Sequence, residues 1–357
     1  MPCSHPVEGV CRKPDRPDDK LEFLRAPESY GPSVRRVECI ETHMSWVFLT
    51  EDRVFKLKKA VRFPFLDFTT LKAREFYCRE EVRLNKRMAP RVYLGVAALR
   101  WDGAYTLVPH DRLPAPGQTV DWLVMMRRLP LHRMLHQLIP TPMLVPADID
   151  ALVDVLGAFF RSAAAVPLAA EDYLTRFEHE RATNRELLLQ PCFQLRDAAI
   201  AFERLDLATA QGADLLRERA RGHRVLDGHG DLRPEHICLL QPPLVIDCLE
   251  FNPRLRQLDP FDELAYLGLE CAMQGAPWIG RQVVAGVAKA LDDYPHPALL
   301  HLYTAHRALL RARLAVAHLL DPQPRSPAKW IPLGERYVAS ALAASEAFIS
   351  AMRHGSS

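Results

Sequence analysis

No stretch of this 357-residue chain is apolar for long enough to span a bilayer, so a transmembrane-helix protein is excluded. The opening residues, MPCSHPVEGVCRKPD, lack the apolar core of a secretory leader and do not read as a signal peptide. The eight cysteines (3, 11, 39, 78, 192, 238, 248 and 271) include no C-x-x-C pair. Cys238 and Cys248 fall inside apolar stretches, where a free thiol packs as a small hydrophobe, so the simplest reading is a cytoplasmic protein with reduced cysteines. Net charge is only +2, which gives no field that would gather nucleic acid or an anionic membrane. There is no internal repeat, no low-complexity segment and no G-x-x-x-x-G-K-[ST] phosphate loop.

What is present is ordinary soluble-protein composition, 48% hydrophobic and 25% charged, over a length that suits two domains or one large two-lobed one. Residues 1–33 read as a Pro-, Asp- and Arg-rich tail followed by a short helix around Leu21, Phe23 and Leu24. Cys3, His5 and Cys11 are metal-ligand types, but a loose tail is the plainer reading. From residue 34 the pattern turns to strands. RRVECIET, SWVFLTED and DRVFKLKKA are followed by a helix over 71–89 and by PRVYLGVAALRW, AYTLVPH and TVDWLVMMRRL. In that helix Phe76, Leu84 and Met88 fall near one stripe, with Glu80 and Glu81 beside it. Beyond about residue 129 the chain reads as helical, with helices over 147–165, 171–190, 195–221, 260–274, 278–292, 296–319 and 332–353. The expected architecture is α+β, a β-rich segment 34–128 followed by a helical segment 129–357.

One block interrupts the helices: HGDLRPEHICLLQPPLVIDCLEFN, residues 229–252. ICLL and LVID read as strands joined at Gln241-Pro242-Pro243. The hairpin would bring Asp231, His236 and Asp247 to one end, an acidic cluster beside imidazole that could serve a divalent metal and a proton acceptor.

The order of parts, a small sheet carrying one Lys, a Glu-bearing helix and a helical segment with two separated Asp, is that of kinase-like phosphotransferases. HGDLRPEHI resembles the HGDLHPGN loop of the aminoglycoside phosphotransferase and choline kinase-like family. VIDCLEF resembles its IDWE segment, LDPFDELAYL (258–267) its DPxYDLA helix start, and VFKLKK its nucleotide-side Lys strand. TH-SWVFL, KLKKAVRFPFLDF and EEVRLNKRMAPRVYLGV resemble an uncharacterised bacterial subgroup of that family, some members of which carry an additional P-loop kinase domain. The resemblance runs from about residue 34 to 320.

It implies a two-lobed protein kinase-like fold and transfer of a phosphoryl group from ATP or GTP, with Mg²⁺ or Mn²⁺, to a hydroxyl of a small molecule. Residues 34–128 would bind nucleotide and 129–357 would supply catalysis and the acceptor surface. Asp231 would accept the acceptor's proton, and His229 would brace its loop. Asp247 would hold the metal, with His236 where the family has Asn. Lys56 would meet the α- and β-phosphates, steadied by Glu81 or by Glu80. Thr42 and Ser45 would stand in a phosphate-covering loop that is not glycine-rich, and Trp46 beside them reads as core. Asp262 would tie the catalytic loop's backbone. Imidazole is a softer donor than an amide oxygen, so His236 is expected either to ligate metal directly and favour Mn²⁺, or to hydrogen-bond a bound water or phosphate.

Three readings stay open: a small-molecule kinase, a nucleotide-binding pseudokinase without turnover, and a metal-dependent phosphoesterase built on His229, Asp231, His236 and Asp247. For the acceptor, Arg254 and Arg256 lie just past Asp247. Arg307 and Arg311 share a helix face at i, i+4, with Arg313 close by. Either these form an anion-binding surface for an anionic acceptor, or the helix face is simply solvated.

Overall fold

A computed structural model describes residues 17–354, so the reading of Cys3, His5 and Cys11 lies outside the described residues. The chain divides into two units. Of the described residues, one comprises 17–130 with 250–252, the other 131–249 with 253–354.

In the first unit, helix α1 (Pro17–Arg25) precedes strands β1 (Glu38–Glu41), β2 (Ser45–Leu49) and β3 (Arg53–Lys58). The connector RFPFLDF forms a minimal ladder of β4 (Arg62–Phe63) and β5 (Leu66–Asp67), and helix α2 (Leu71–Asn85) follows. Strands β6 (Tyr93–Trp101), β7 (Tyr105–Pro109) and β8 (Gln118–Arg127) complete an antiparallel sheet of order β1-β2-β3-β8-β6-β7. Alternation along β2 and β3 sends Phe48, Phe55 and Leu57 to one face, where they pack with Leu99, Leu123 and, from α1, Leu21 and Leu24. Asp121 of β8 is fully buried and takes Lys20 Nζ of α1 and Arg74 Nε of α2, both at 2.6 Å. Thr70 caps α2 by accepting the Ala73 N–H at 3.1 Å.

The apolar-stripe reading of α2 is corrected at one position: Phe76 is exposed, while the buried face carries Arg74, Cys78, Glu81, Leu84 and Asn85. This helix faces the sheet with charged groups that have partners there, so hydropathy alone misorients it.

In the second unit a single helical turn, α3 (Leu135–Leu138), leads to α4 (Pro146–Ser162), α5 (Ala170–Leu188) and α6 (Ala198–Arg221). Two small ladders follow. β9 (Leu226–Asp227) pairs with β12 (Gln257–Leu258), and β10 (Ile237–Cys238) pairs with β11 (Leu244–Val245). The helices α7 (Pro260–Met273), α8 (Pro277–Leu291), α9 (Pro297–Ala317) and α10 (Trp330–His354) complete it. The β10–β11 hairpin is shorter than ICLL and LVID suggest. The Leu239 N–H turns away to the Arg133 carbonyl at 2.8 Å, and Leu240 folds back on Cys238, so the ladder ends after two pairs.

Asp259 caps α7 by accepting the Phe261 N–H at 2.8 Å, with Pro260 at the first helical position. Burial raises the Asp259 pKa, and Arg219, which also holds Asp293, answers that carboxylate directly. The start of α7 is thus fixed, and it carries the residues that shape the site. No described helix is long and apolar enough to cross a membrane.

Candidate active site

In the first unit, period-two geometry places Lys56 and Lys58 on the same face of β3. Glu81 meets both from α2, with one oxygen 3.0 Å from Lys56 Nζ and the other 2.6 Å from Lys58 Nζ. Lys58 also pairs with Glu250. The Lys58 side chain is 1% exposed and Glu81 fully buried, whereas Lys56 keeps 17% of its surface. Burial alone would lower the Lys58 pKa, but the Glu250 and Glu81 carboxylates outweigh it and the ammonium is held charged. Glu80, the alternative partner for Lys56, reaches Arg83 at 2.7 Å on the exposed side of α2.

Thr42 and Ser45 close the β1–β2 turn. The Thr42 hydroxyl donates to the Ser45 carbonyl at 3.0 Å and accepts the Ser45 N–H at 2.9 Å, and Ser45 is buried. Both of these Thr42 hydroxyl bonds lie within the turn. The Trp46 ring packs at the core's edge under Lys59 and Arg25.

In the second unit the loop Gly228-His229-Gly230-Asp231 runs along the start of α7. The Glu263 carboxylate accepts the His229 N–H at 3.0 Å and also the Gly230 N–H. A Cβ on Gly228 would lie 2.7 Å from Glu263 Oε2. Gly230 has φ +86°, and a Cβ there would meet the Leu255 carbonyl oxygen at 2.9 Å. Glu263, one residue beyond the expected Asp262, is what ties this backbone. Asp262 instead turns to Arg307. Burial pushes the Glu263 pKa up to about 7, against the opposing pull of the two N–H donors.

His229 is fully buried. Its Nδ1 accepts the Asp231 N–H at 3.2 Å, and its Nε2 lies 2.9 Å from the Ile246 carbonyl, which can only accept, so Nε2 carries the proton. Burial first, then the charge of His236, lowers its pKa to about 4. The ring is neutral with both nitrogens occupied. It braces the loop and has no lone pair for a metal, which removes one of the four ligands that the phosphoesterase reading requires.

Asp231 pairs with Arg233, whose Nη2 donates to Oδ2 at 3.1 Å while Nε lies 2.9 Å from Oδ1 without a hydrogen bond, and the Tyr266 hydroxyl donates to Oδ1 at 3.2 Å. Burial would raise its pKa, but His236 and Arg233 outweigh that and hold it below the usual carboxylate range. His236 Nδ1 faces the Asp231 carbonyl oxygen at 2.8 Å and so carries the proton in the neutral ring. That leaves the lone pair on Nε2, which faces the Arg233 Nη2 donor at 3.4 Å and lies 3.5 Å from Asp247 Oδ2. Asp247 adopts a left-handed backbone, φ +63°, that turns its carboxylate outward with 44% of the side chain exposed.

Among the described residues no three His, Cys, Asp or Glu side chains converge as a preformed metal site. One exposed carboxylate with a neighbouring imidazole nitrogen instead fits a cation that arrives with phosphate and water oxygens of its own, as Mg²⁺ does with nucleotides.

The arginines are corrected. Arg307 places Nε and Nη2 each 2.7 Å from an oxygen of Asp262. Arg311 meets Glu270 at 2.9 Å, and Arg256 is buried against Asp227 at 3.0 Å and the Leu249 carbonyl. Arg313 donates to Asn184 at 2.6 Å. The shared face of Arg307 and Arg311 points to carboxylates on α7, because burying two guanidinium groups requires paired acids. Of the five arginines named for the acceptor, Arg254 alone is exposed. Lys58, Arg233, Glu263 and Tyr266 were not singled out from the sequence. Arg233 stands inside the HGDLRPEH motif itself, and Lys58 is two residues from Lys56, so both carried a signal.

No family model matches the chain. It is 28% identical over 308 residues to uncharacterized proteins of Mycobacterium tuberculosis and Mycobacterium bovis, an alignment covering 82% of this chain. The chain spans 57% of the length of these relatives. Among solved structures, a choline/ethanolamine kinase family protein of Mesorhizobium loti superposes with a TM-score of 0.51 at 14% identity, covering 92% of this chain and 98% of that one. A choline kinase of Cryptosporidium parvum gives 0.51 at 8% identity, covering 94% of each. The fold is the kinase-like α+β fold of these proteins, as the sequence resemblance implies.

Proposed function

We propose that this chain is a small-molecule kinase, transferring the terminal phosphoryl group of ATP or GTP to an acceptor hydroxyl in the cytoplasm. Lys56, steadied by Glu81, neutralises the α- and β-phosphates. Asp247 supplies a hard oxygen to Mg²⁺ or Mn²⁺, with His236 beside it as a direct ligand or as a hydrogen-bond partner of a bound water or phosphate oxygen. The metal's contribution is to neutralise charge developing on the transferring group. Asp231, ionised, orients the acceptor hydroxyl and takes its proton. His229 and Glu263 hold the loop that presents it. An anionic acceptor would be met by Arg254.

The observation that supports this reading is the Asp231 loop. An ionised carboxylate is presented on a backbone pinned by a buried acid, with His236 between it and a second, outward-turned carboxylate. The test is ADP release from Mg-ATP across a metabolite library, with Asp231→Asn as control. Turnover should disappear in the variant, with nucleotide affinity kept within about threefold, since the change removes a proton acceptor and leaves the metal ligand. Equal turnover in both proteins refutes the role. One observation favours the non-turnover alternative, the Arg233 ion pair on Asp231. Nucleotide binding with no ADP release from any acceptor would support it.

A further inference from the structure

We propose that Lys58 is a positioning residue that keeps Glu81 neutralised and in place while Lys56 engages a nucleotide's phosphates; this rests on the nucleotide-binding reading above. Lys58 itself is no phosphate ligand. It is 1% exposed, lies over the Phe68 ring at 5.1 Å, and sits between two carboxylates. What it touches is the far oxygen of the same Glu81 that holds Lys56.

In a site with one lysine and one buried acid, a single ammonium with three donors must serve both the acid and the phosphates, so its charge is shared between them. Drawing the lysine outward leaves a buried carboxylate without a counter-charge, which is strongly unfavourable. Here Glu81 has a second ammonium, Lys58 at 2.6 Å on its other oxygen, besides Lys56. Glu250 completes the balance. Two ammonium groups two residues apart on one strand face would otherwise share one buried acid, whereas Lys56, Lys58, Glu81 and Glu250 together sum to zero. The strand's backbone is fixed on both sides, Lys56 standing opposite Val47 of β2 and Val124 of β8, so the adjustment falls to side chains. The second lysine therefore keeps the buried acid balanced while the charge of Lys56 is shared with phosphate.

The test is calorimetry of the full chain with Mg-ATP and, separately, adenosine. Lys58→Met should lower the ratio of ATP to adenosine affinity about tenfold, equivalent to ~1.4 kcal/mol. Because that change strands Glu250, a second variant, Lys58→Met/Glu250→Leu, removes one charge of each sign and preserves folding. It should show the same loss of ATP preference with adenosine affinity unchanged. A merely structural lysine would weaken both ligands together or neither. A folded double variant with the parental ATP-to-adenosine ratio overturns the role of Lys58 while leaving the nucleotide reading intact. A parent that binds neither ligand overturns that reading and this proposal with it.

Discussion

Replacing Arg307 with Met separates a structural arginine from an acceptor-binding one. Arg307 grips both oxygens of Asp262 at 2.7 Å, its guanidinium lies 5.1 Å from the Tyr266 ring centroid, and both partners are buried. Removing the cation leaves the Asp262 carboxylate buried beside the acidic groups Glu180 and Glu263, whose pKa values are raised, in each case by burial first. Losing one member of such a pair costs about 3–5 kcal/mol. At about 2–4 °C per kcal/mol for a domain of this size, melting should fall by roughly 10 °C. The companion Asp262→Leu/Arg307→Met removes both charges, and apolar replacement of a whole buried pair is near neutral. It should recover most of the loss, giving a coupling of at least ~2 kcal/mol in the double-mutant cycle. Thermal melts and urea titrations of the four proteins measure this. Parental stability in Arg307→Met would refute the reasoning and return Arg307 to the acceptor surface.

Two further outcomes are expected. His236→Asn should leave the fold intact and, if Nε2 ligates metal directly, shift nucleotide binding from Mn²⁺ toward Mg²⁺; calorimetry with each metal from pH 5.5 to 8 reads this, and unchanged metal preference and pH dependence would make His236 structural. His306 is buried, and burial first, then Arg181 and Arg307, lowers its pKa to about 3 from 6.5, so the unfolded chain takes up a proton there that the folded chain does not. Its contribution is intact above pH 6.5 and is lost on acidification at about 1.4 kcal/mol per pH unit between 6.5 and 3, so urea unfolding of His306→Gln should show a flatter dependence than the parent over pH 6.5–4.5, and parallel curves would refute it.

Much of the fold was legible because burial on one face imposes a period. Strand β1 alternates, β6 and β8 show the continuous apolar runs of strands covered on both faces, and the helices of the second unit end within a few residues of where their apolar stripes stop. The misreadings of charged positions share one physical origin, paired charge in the interior. The inner face of α2 carries Glu81 where hydropathy favoured Phe76, because two lysines on β3 await it. Arg307 and Arg311 do lie on one face of α9, but Asp262 and Glu270, eight residues apart on α7, claim them. A sequence displays charge without its partner, so a buried pair and an exposed binding surface look alike. The tie to the catalytic loop was misplaced by one residue for a related reason: Asp262 and Glu263 are both acids, and only the packing of α9 decides which of them faces Arg307 and which the His229 and Gly230 amides.

Helix α1 changes where the first unit must be taken to begin. The β pattern starts near residue 34, and a fragment cut there would retain every strand of the sheet. It would nonetheless lack Leu21 and Leu24, which pack on Phe48, Phe55 and Leu57. Each represents roughly 1.5–3 kcal/mol of buried side chain. It would also lack Lys20, which shares the buried carboxylate of Asp121 with Arg74. Such a fragment would expose one layer of its own core to self-association. The smallest portion able to hold β3 and its lysines steady therefore starts at the helix, about twenty residues before the first strand.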